Sequence, residues 1–457
     1  MVILKRHYEF WIIALACHKL GVILIPGTNL LTKKDLIYRF NTAEVKGIIC
    51  TGEGDISAFV DEAMGECPTV VLKLIVKGTR DGWPSFTDEM DKMSEKFERI
   101  AIKKTDPLLL YFTSGTTGMP KMVMHDNSYP LGHIMTAKHW HNVVPDGLHL
   151  TISETGWAKS VWGKLYGQWI MEAGIFVYDH AKFEPAVMLN MINKYKITTF
   201  CAPPTMFRFF IKENLENFDL SCLTHTTIAG EALNPEVFNQ FYKHTGLKLM
   251  EGFGQTETTV MIANTTNMEP RPGSMGKPVP QYDIIIADDN GEDVAPGVTG
   301  EICIRTGKEI PIGLFMGYYK DETLTNSVWH DGLYHTGDTA WKDEDGYFWY
   351  VGRLDDIIKS SGYRIGPFEI ESVLMEHPSV LECAITGVPD EVRGQVVKAT
   401  IVLAKGYVAS DELLLEIQKH VKNLTAPYKY PRIIEFVSEL PKTISGKVRR
   451  VEIREKG

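Results

Sequence analysis

The sequence predicts an α/β chain in three parts. A large portion of layered parallel sheets and helices comes first, then a small β-rich, barrel-like portion, then a compact α+β tail. Three observations carry that reading. Short apolar runs such as KGIICT (46–51), TVVLKLIV (69–76) and GIFVYD (174–179) alternate with helical stretches up to about residue 268. Beyond it the texture changes to QYDIIIAD, GEICIRT and YFWYVGR, separated by the turn sequences DDNG and DEDG. After Arg353, two amphipathic helical segments flank two strand-like runs. A length of 457 residues suits two or three domains rather than one core.

In chain order, WIIALACHKLGVILIP reads as a buried helix running into a strand near residues 22–25. Residues 78–104 are charged, without a clean period, and read as connecting structure. PAVMLNMINKYK (185–196) is a helix with Pro at its first position. TTFCAPPT is a strand stopped by the Pro203–Pro204 pair. LTHTTIAG, a helix from Asn234 and LKLMEGFG repeat the rhythm. In the tail, PFEIESVLMEHP is helical, VLECAITGVPD and VVKATIVLA are strands, and SDELLLEIQKHVKNL is a helix capped by Ser410, with Leu414, Ile417, Val421 and Leu424 on one side.

Composition excludes several classes. A net charge of −10 argues against a general nucleic-acid binder. No apolar run reaches the ~20 residues that span a membrane, and the N-terminal segment lacks signal-peptide features. Seven scattered cysteines with no CxxC pair suit a reducing cytoplasm and offer no metal-site spacing. Oligomerisation is left open.

The most informative stretch is YFTSGTTGMPK at 111–121, after the apolar run PLLL. Gly115 and Gly118 permit close approach of backbone to a ligand. Successive N–H groups and hydroxyls then form an anion-binding concavity, and Lys121 adds a full charge. A polyphosphate is the natural ligand, although the spacing is not that of the common nucleotide P-loop.

TSGTTGMPK resembles the phosphate loop of the AMP-forming adenylating enzymes, which include acyl-CoA synthetases. Further motifs follow in that superfamily's order: GEA at 230–232, EGFGQTET at 251–258, YHTGD at 334–338, GRLDD at 352–356, SSGYRIGPFEIE at 360–371 and PKTISGKVRR at 441–450. GWAKSVWGKLYGQW (156–169), APPT (202–205) and APYKYPRIIEFV (426–437) make the chain most similar to medium-chain acyl-CoA synthetases of the archaeal and bacterial branch. The resemblance implies a large adenylate-forming domain over residues 1–353 (β-subdomain about 268–353), a hinge at 354–356 and a mobile C-terminal domain at 357–457. It also implies a further stretch before residue 1, and hence exposed apolar surface near residues 1–30 unless something covers it.

It implies the following roles. Thr113, Ser114, Gly115, Thr116, Thr117, Gly118 and Lys121 hold the ATP phosphates. Gly230, Glu231, Ala232, Glu251, Gly252, Phe253, Gly254 and Gln255 line the nucleotide, and Asp338 and Arg353 meet the ribose. Thr256, Glu257 and Lys447 are catalytic, with Glu257 on Mg²⁺. Asp355 is the hinge. Ser361, Gly362, Tyr363, Arg364 and Arg393 meet coenzyme A, with Lys422, Tyr428 and Lys429 as weaker candidates. Trp157 and Gly254, with Trp162 and Gly163, shape the acyl pocket. Acetate-specific relatives place Trp where this chain has Gly254, so the glycine is expected to open an apolar slot for a carboxylate longer than acetate. His125 and His133 are read as packing or capping residues.

The implied reaction is ATP + small or medium-chain carboxylate + coenzyme A → acyl-CoA + AMP + pyrophosphate, through an acyl-adenylate. Two alternatives remain: transfer to another acceptor such as a carrier protein, or an inactive, shortened nucleotide-binding chain.

Overall fold

The structure, a computed structural model, describes residues 1–113, 119–180, 182–443 and 447–456. Residues 114–118, the heart of the phosphate-loop expectation, lie outside the described residues. The central element is a seven-stranded sheet. Leu249–Phe253, His225–Ile228, Thr199–Ala202, Leu148–Thr151 and Gly174–Ile175 run parallel, and Ile262–Ala263 and Lys277–Pro278 extend one edge antiparallel. Strands such as TFCA are apolar on both faces because helices and loops cover both. One face carries Phe200, Phe207, Phe210, Ile228, Phe241 and Leu249. The other carries Trp140, Trp162, Met250 and Ile262, packed with Tyr111 of the phosphate-loop hairpin and Tyr334 of the β-rich portion. Each large side chain buried in this way contributes about 1.5–3 kcal/mol.

Val2–Ile3, Gly47–Thr51 and Leu72–Val76 form a parallel three-stranded sheet. Pro107–Thr113 turns back as Lys121–Asp126, and Gly317–Tyr318 completes an antiparallel sheet. The β-rich portion is antiparallel: Ile284–Ala287, Gly300–Arg305, Leu333–Lys342 and Trp329–His330, with Phe348–Arg353 paired on Leu333–Lys342. The tail builds its own sheet from Ile358–Ser360, Tyr363–Ile365, Val380–Asp390, Gly394–Leu403 and Ile433–Val437, with an independent core around Ile370, Ile401 and Ile417. The chain is therefore α/β with mixed sheets.

Local expectations meet the structure unevenly. Pro185 and Pro367 begin their helices, and Ser410 caps Asp411–Leu424 by accepting from the Leu413 N–H. Asn234 caps Pro235–Thr245. The strand expected near 22–25 reduces to single bridges, Leu24 with Leu109 and Pro26 with Val2, because neighbouring chain passes only at those points. The helix before it, Glu9–Lys19, is not fully buried: Ile12 and Leu15 are exposed, as are Tyr8, Leu20 and Val22 on either side of it. Leu413, Ile417 and Val421 form the buried stripe of the last long helix, whereas Leu424, expected on that stripe, is 55% exposed. No helix among the described residues is long and apolar enough to cross a membrane.

Candidate active site

The hairpin pairs Thr113 directly with Lys121 across the loop it carries. The Lys121 ammonium lies 5.2 Å over the ring of Tyr318, whose hydroxyl donates to Glu257 Oε1 at 2.8 Å. One aromatic ring thus stands between the lysine and the carboxylate. Among the described residues, Tyr318 is the one side chain that donates to Glu257. His125 Nε2 donates to the carbonyl of Thr256 at 2.8 Å and so supports the same loop. Burial lowers the His125 pKa to about 4, so it is neutral at pH 7. His133, lowered by burial to about 3, stands edge-on to Tyr129 at 4.7 Å. Both histidines are packing residues.

A second cluster surrounds Asp338, which is 5% exposed. Oδ1 accepts from the Tyr350 hydroxyl (3.0 Å), and Oδ2 accepts from Gln255 Nε2 (2.6 Å) and Arg353 Nη1 (3.2 Å). The Tyr334 hydroxyl donates to Gln255 Oε1 at 2.7 Å, fixing the amide orientation. Burial pushes the Asp338 carboxyl up, and Arg353 opposes that shift. Gly337 has φ +69, and a Cβ there would stand 2.8 Å from Arg353 Nη2, so a side chain would be strained and would have to displace the guanidinium. Glu301 holds the turn by accepting from the Gly337 N–H (2.8 Å) and His335 Nδ1 (2.9 Å). Cys303 joins them at 3.5 Å from His335 Nδ1, a cluster that cysteine spacing alone does not reveal.

Between the clusters run the 230–232 turn and the strand Leu249–Phe253. Glu231 accepts from the Thr205 hydroxyl at 3.0 Å and lies 3.6 Å from Arg208. Behind the turn, Lys159 Nζ donates to the Ala229 carbonyl and lies 3.7 Å from where a Cβ on Gly230 would be. Burial depresses the Lys159 pKa; Glu231 works against that shift and Lys447 adds to it. Glu251 is buried, accepts only from the Leu233 N–H (3.2 Å) among the described residues, and has its pKa raised to about 8 by burial. It is a neutral carboxylic acid at pH 7.

The acyl-pocket expectation needs correction. A Cβ on Gly254 would lie 2.5 Å from Trp162 Cη2 and 2.4 Å from the Thr259 carbonyl oxygen. The slot expected from the glycine is already filled by the Trp162 indole, which is 6% exposed. Trp157 is half-buried at the start of the helix Ala158–Lys164 that carries Trp162.

The tail reaches this cleft. The exposed Lys447 is near enough to Asp338 and Lys159 for its charge to lower the pKa of both. Asp355 is exposed in the turn Leu354–Asp356, 3.7 Å from Arg353 Nε. Ser361, Gly362, Tyr363, Arg364 and Arg393 are all exposed. Ser361 N–H donates to the Arg393 carbonyl at 2.9 Å, Tyr363 stacks on Tyr428 at 4.0 Å, and Arg364 approaches Asp289 at 3.9 Å. Tyr318 and Lys159 were missed as site residues. Tyr318 has no local signature, whereas Lys159 was visible as one of two lysines in the short helix AKSVWGK.

A domain model described as "AMP-binding enzyme" matches residues 1–319, and one described as "AMP-binding enzyme C-terminal domain" matches residues 369–447. The chain belongs to the AMP-binding enzyme family. Among its relatives, mouse acyl-coenzyme A synthetase ACSM3, mitochondrial, is 44% identical over 460 residues, covering 100% of this chain and 79% of the relative. Human acyl-coenzyme A synthetase ACSM5, mitochondrial, is 43% identical over 458 residues, covering 99% and 79%. Among solved structures, the anthranilate CoA ligase AuaEII in complex with anthranoyl-AMP superposes with a TM-score of 0.91 at 29% identity, covering 100% of this chain and 86% of that one.

Proposed function

We propose that this AMP-binding enzyme is an AMP-forming acyl-CoA synthetase for small to medium-chain carboxylates. In the first half-reaction the substrate carboxylate attacks the α-phosphorus of ATP and pyrophosphate leaves. In the second, the thiol of coenzyme A attacks the acyl-adenylate and AMP leaves. A carboxylate is already ionised at pH 7, so the first step needs no general base. It needs cationic groups to hold anions together and to stabilise the charge that develops. Lys121 and Lys447 supply that charge. Asp338 and Arg353 orient the ribose, and the 113–118 loop holds the phosphates.

Glu257 suits a hard cation, since one carboxylate with phosphate oxygens and water is the usual Mg²⁺ arrangement and Tyr318 fixes the carboxylate's orientation. Bound Mg²⁺ would supply neutralising charge at the β- and γ-phosphates. The tail turns about Asp355 between the two half-reactions, withdrawing Lys447 and bringing the Ser361–Arg364 segment and Arg393 to coenzyme A. All seven cysteines are free, which suits a reducing compartment such as the cytoplasm.

The observation that carries this reading is the match to AMP-binding enzymes over residues 1–319 and 369–447, with acyl-coenzyme A synthetase relatives at 44% identity over the whole chain, alongside the Tyr318–Glu257 and Asp338–Gln255–Arg353 contacts. The test measures pyrophosphate release and thioester formation with ATP, Mg²⁺ and carboxylates from acetate to octanoate, including 2-methylbutyrate, with free coenzyme A beside a pantetheinylated carrier protein. Carboxylate-dependent pyrophosphate release followed by acyl-CoA formation is expected. Thioester formed only on the carrier, or no pyrophosphate release from monodisperse protein, overturns it. A preference for acetate over butyrate and 2-methylbutyrate overturns the chain-length part.

A further inference from the structure

Lys447 is exposed on the loop that leads into the C-terminal helix Arg450–Lys456. Its backbone is tied to Thr443, whose N–H donates to the Lys447 carbonyl at 2.7 Å and whose hydroxyl accepts from the Lys447 N–H at 3.1 Å. What fastens that pairing to the rest of the tail is the first residue of the helix. Arg450 Nη2 lies 2.8 and 2.7 Å from the two carboxylate oxygens of Glu371, and its Nε lies 3.2 Å from Oε1. Its Nη1 approaches Asp356 Oδ2 at 3.5 Å. Asp356 also accepts from Arg454 Nη1 at 2.7 Å, and Arg454 donates to the carbonyl of Asp355 at 3.2 Å. Glu371 is held in turn by the N–H of Ile385 at 2.9 Å.

The carboxylates are well shielded: Asp356 is 8% exposed and Glu371 13%. A forked arginine–carboxylate pair of this kind fixes orientation as well as distance. The network joins the Lys447 loop, the tail's sheet and the turn that contains Asp355.

We propose that Arg450 is a positioning residue for adenylation, fastening the Lys447 loop to Glu371 and to the Asp355–Asp356 turn so that rotation of the tail delivers Lys447 to one defined place. This rests on the roles proposed for Lys447 and Asp355. The Arg450 guanidinium is engaged by Glu371 and Asp356. Its loss therefore has a distinctive signature. Lys447 serves only the first half-reaction, so a slack loop slows adenylation and spares thioester formation. The helix keeps its own anchor, since Ile453 packs with Ala384, Val402 and Leu440, so the substituted protein retains its tail fold.

The experiment measures the half-reactions separately in the full chain: single-turnover pyrophosphate release, and acyl-CoA formation from pre-formed acyl-adenylate. Arg450→Ala is expected to lower the first rate at least about tenfold, since displacement of a catalytic group by about 1 Å costs up to about a hundredfold. It should leave the second rate near that of the parent. Arg450→Lys, which keeps the charge but not the fork, should fall between. Equal loss in both half-reactions, or an unchanged adenylation rate, overturns the proposal. Should Arg450→Ala not fold, Arg450→Lys and Glu371→Gln decide on the same two rates. Lys447→Ala separates the premises: full adenylation without Lys447 removes the reading beneath the proposal, whereas lost adenylation there with normal rates in Arg450→Ala removes the proposal alone.

Discussion

The Trp162 indole occupies the space that a side chain at residue 254 would need, with Cη2 2.5 Å from the Cβ position on Gly254. If the acyl chain enters beside Gly254, as proposed, the tryptophan limits how deep it goes. Trp162→Ala is expected to raise kcat/KM for longer acyl chains relative to butyrate, by about fourfold for each methylene newly buried at ~0.8 kcal/mol. A chain-length profile of the variant checks this, and an unchanged optimum refutes it. Gly254→Ala should be far more damaging than its single methyl suggests. The Thr259 carbonyl is backbone, 2.4 Å from the new carbon, and cannot swing aside.

Glu251 predicts a particular dependence of stability on pH. Its folded pKa is raised to about 8 from 4.5 by burial, so between those values the native state holds a proton that the unfolded state has lost. Its contribution is fully present below pH 4.5 and is lost as pH rises through about 8. Glu251→Gln keeps an acceptor for the Leu233 N–H and removes the ionisation. The expected result is a Tm equal to the parent's at pH 5 and higher than it at pH 9. Parallel melting curves across that range would count against a buried neutral acid.

Much of this was legible because it is local. Pro185, Pro367, Asn234 and Ser410 mark helix starts through the geometry of single residues, and the order of the motifs carries the family. What failed depended on distant partners. Whether Leu424 is buried is decided by packing across the tail, and whether 22–25 makes a ladder is decided by what passes beside it. The emptiness expected at Gly254 depended on a helix ninety residues upstream that sends Trp162 into the gap. Tyr318 illustrates the same limit: its partners Lys121 and Glu257 come from two other segments, and nothing beside it in sequence announces them.

Tyr318→Phe isolates the link between those charges. The ring that lies under Lys121 is preserved, and only the hydroxyl donated to Glu257 is lost. A hydrogen bond to a charged group is worth about 1.5–3 kcal/mol, so KM for ATP at limiting Mg²⁺ should rise by about tenfold or more. Saturating Mg²⁺ should recover part of the loss if the hydroxyl acts by orienting a metal-binding carboxylate. A variant with unchanged Mg²⁺ dependence would show that Glu257 needs no such support.

Asn234 links the large portion to the tail, and its two bonds can be separated by substitution. Its Oδ1 accepts from the Glu236 N–H at 2.7 Å, capping the helix Pro235–Thr245, while its Nδ2 donates to the carbonyl of Ser372 in the tail at 3.0 Å. Asn234→Asp keeps the cap, and a carboxylate there is at least as good a capping group. It replaces the donor to Ser372 with an oxygen facing a carbonyl, which repels. Stability should therefore hold while the arrangement that brings Lys447 to Asp338 becomes less populated. Losing about 1 kcal/mol from that arrangement lowers the ratio of the two orientations about fivefold, and so its population about threefold where they are otherwise balanced. Adenylation should slow by that order, and thioester formation from added acyl-adenylate should be unchanged or faster. Distance measurements between a label on the tail and one on the large portion give the independent check: the distribution must shift in Asn234→Asp without ligand, and a distribution identical to the parent's would leave the Asn234–Ser372 contact without influence on the tail.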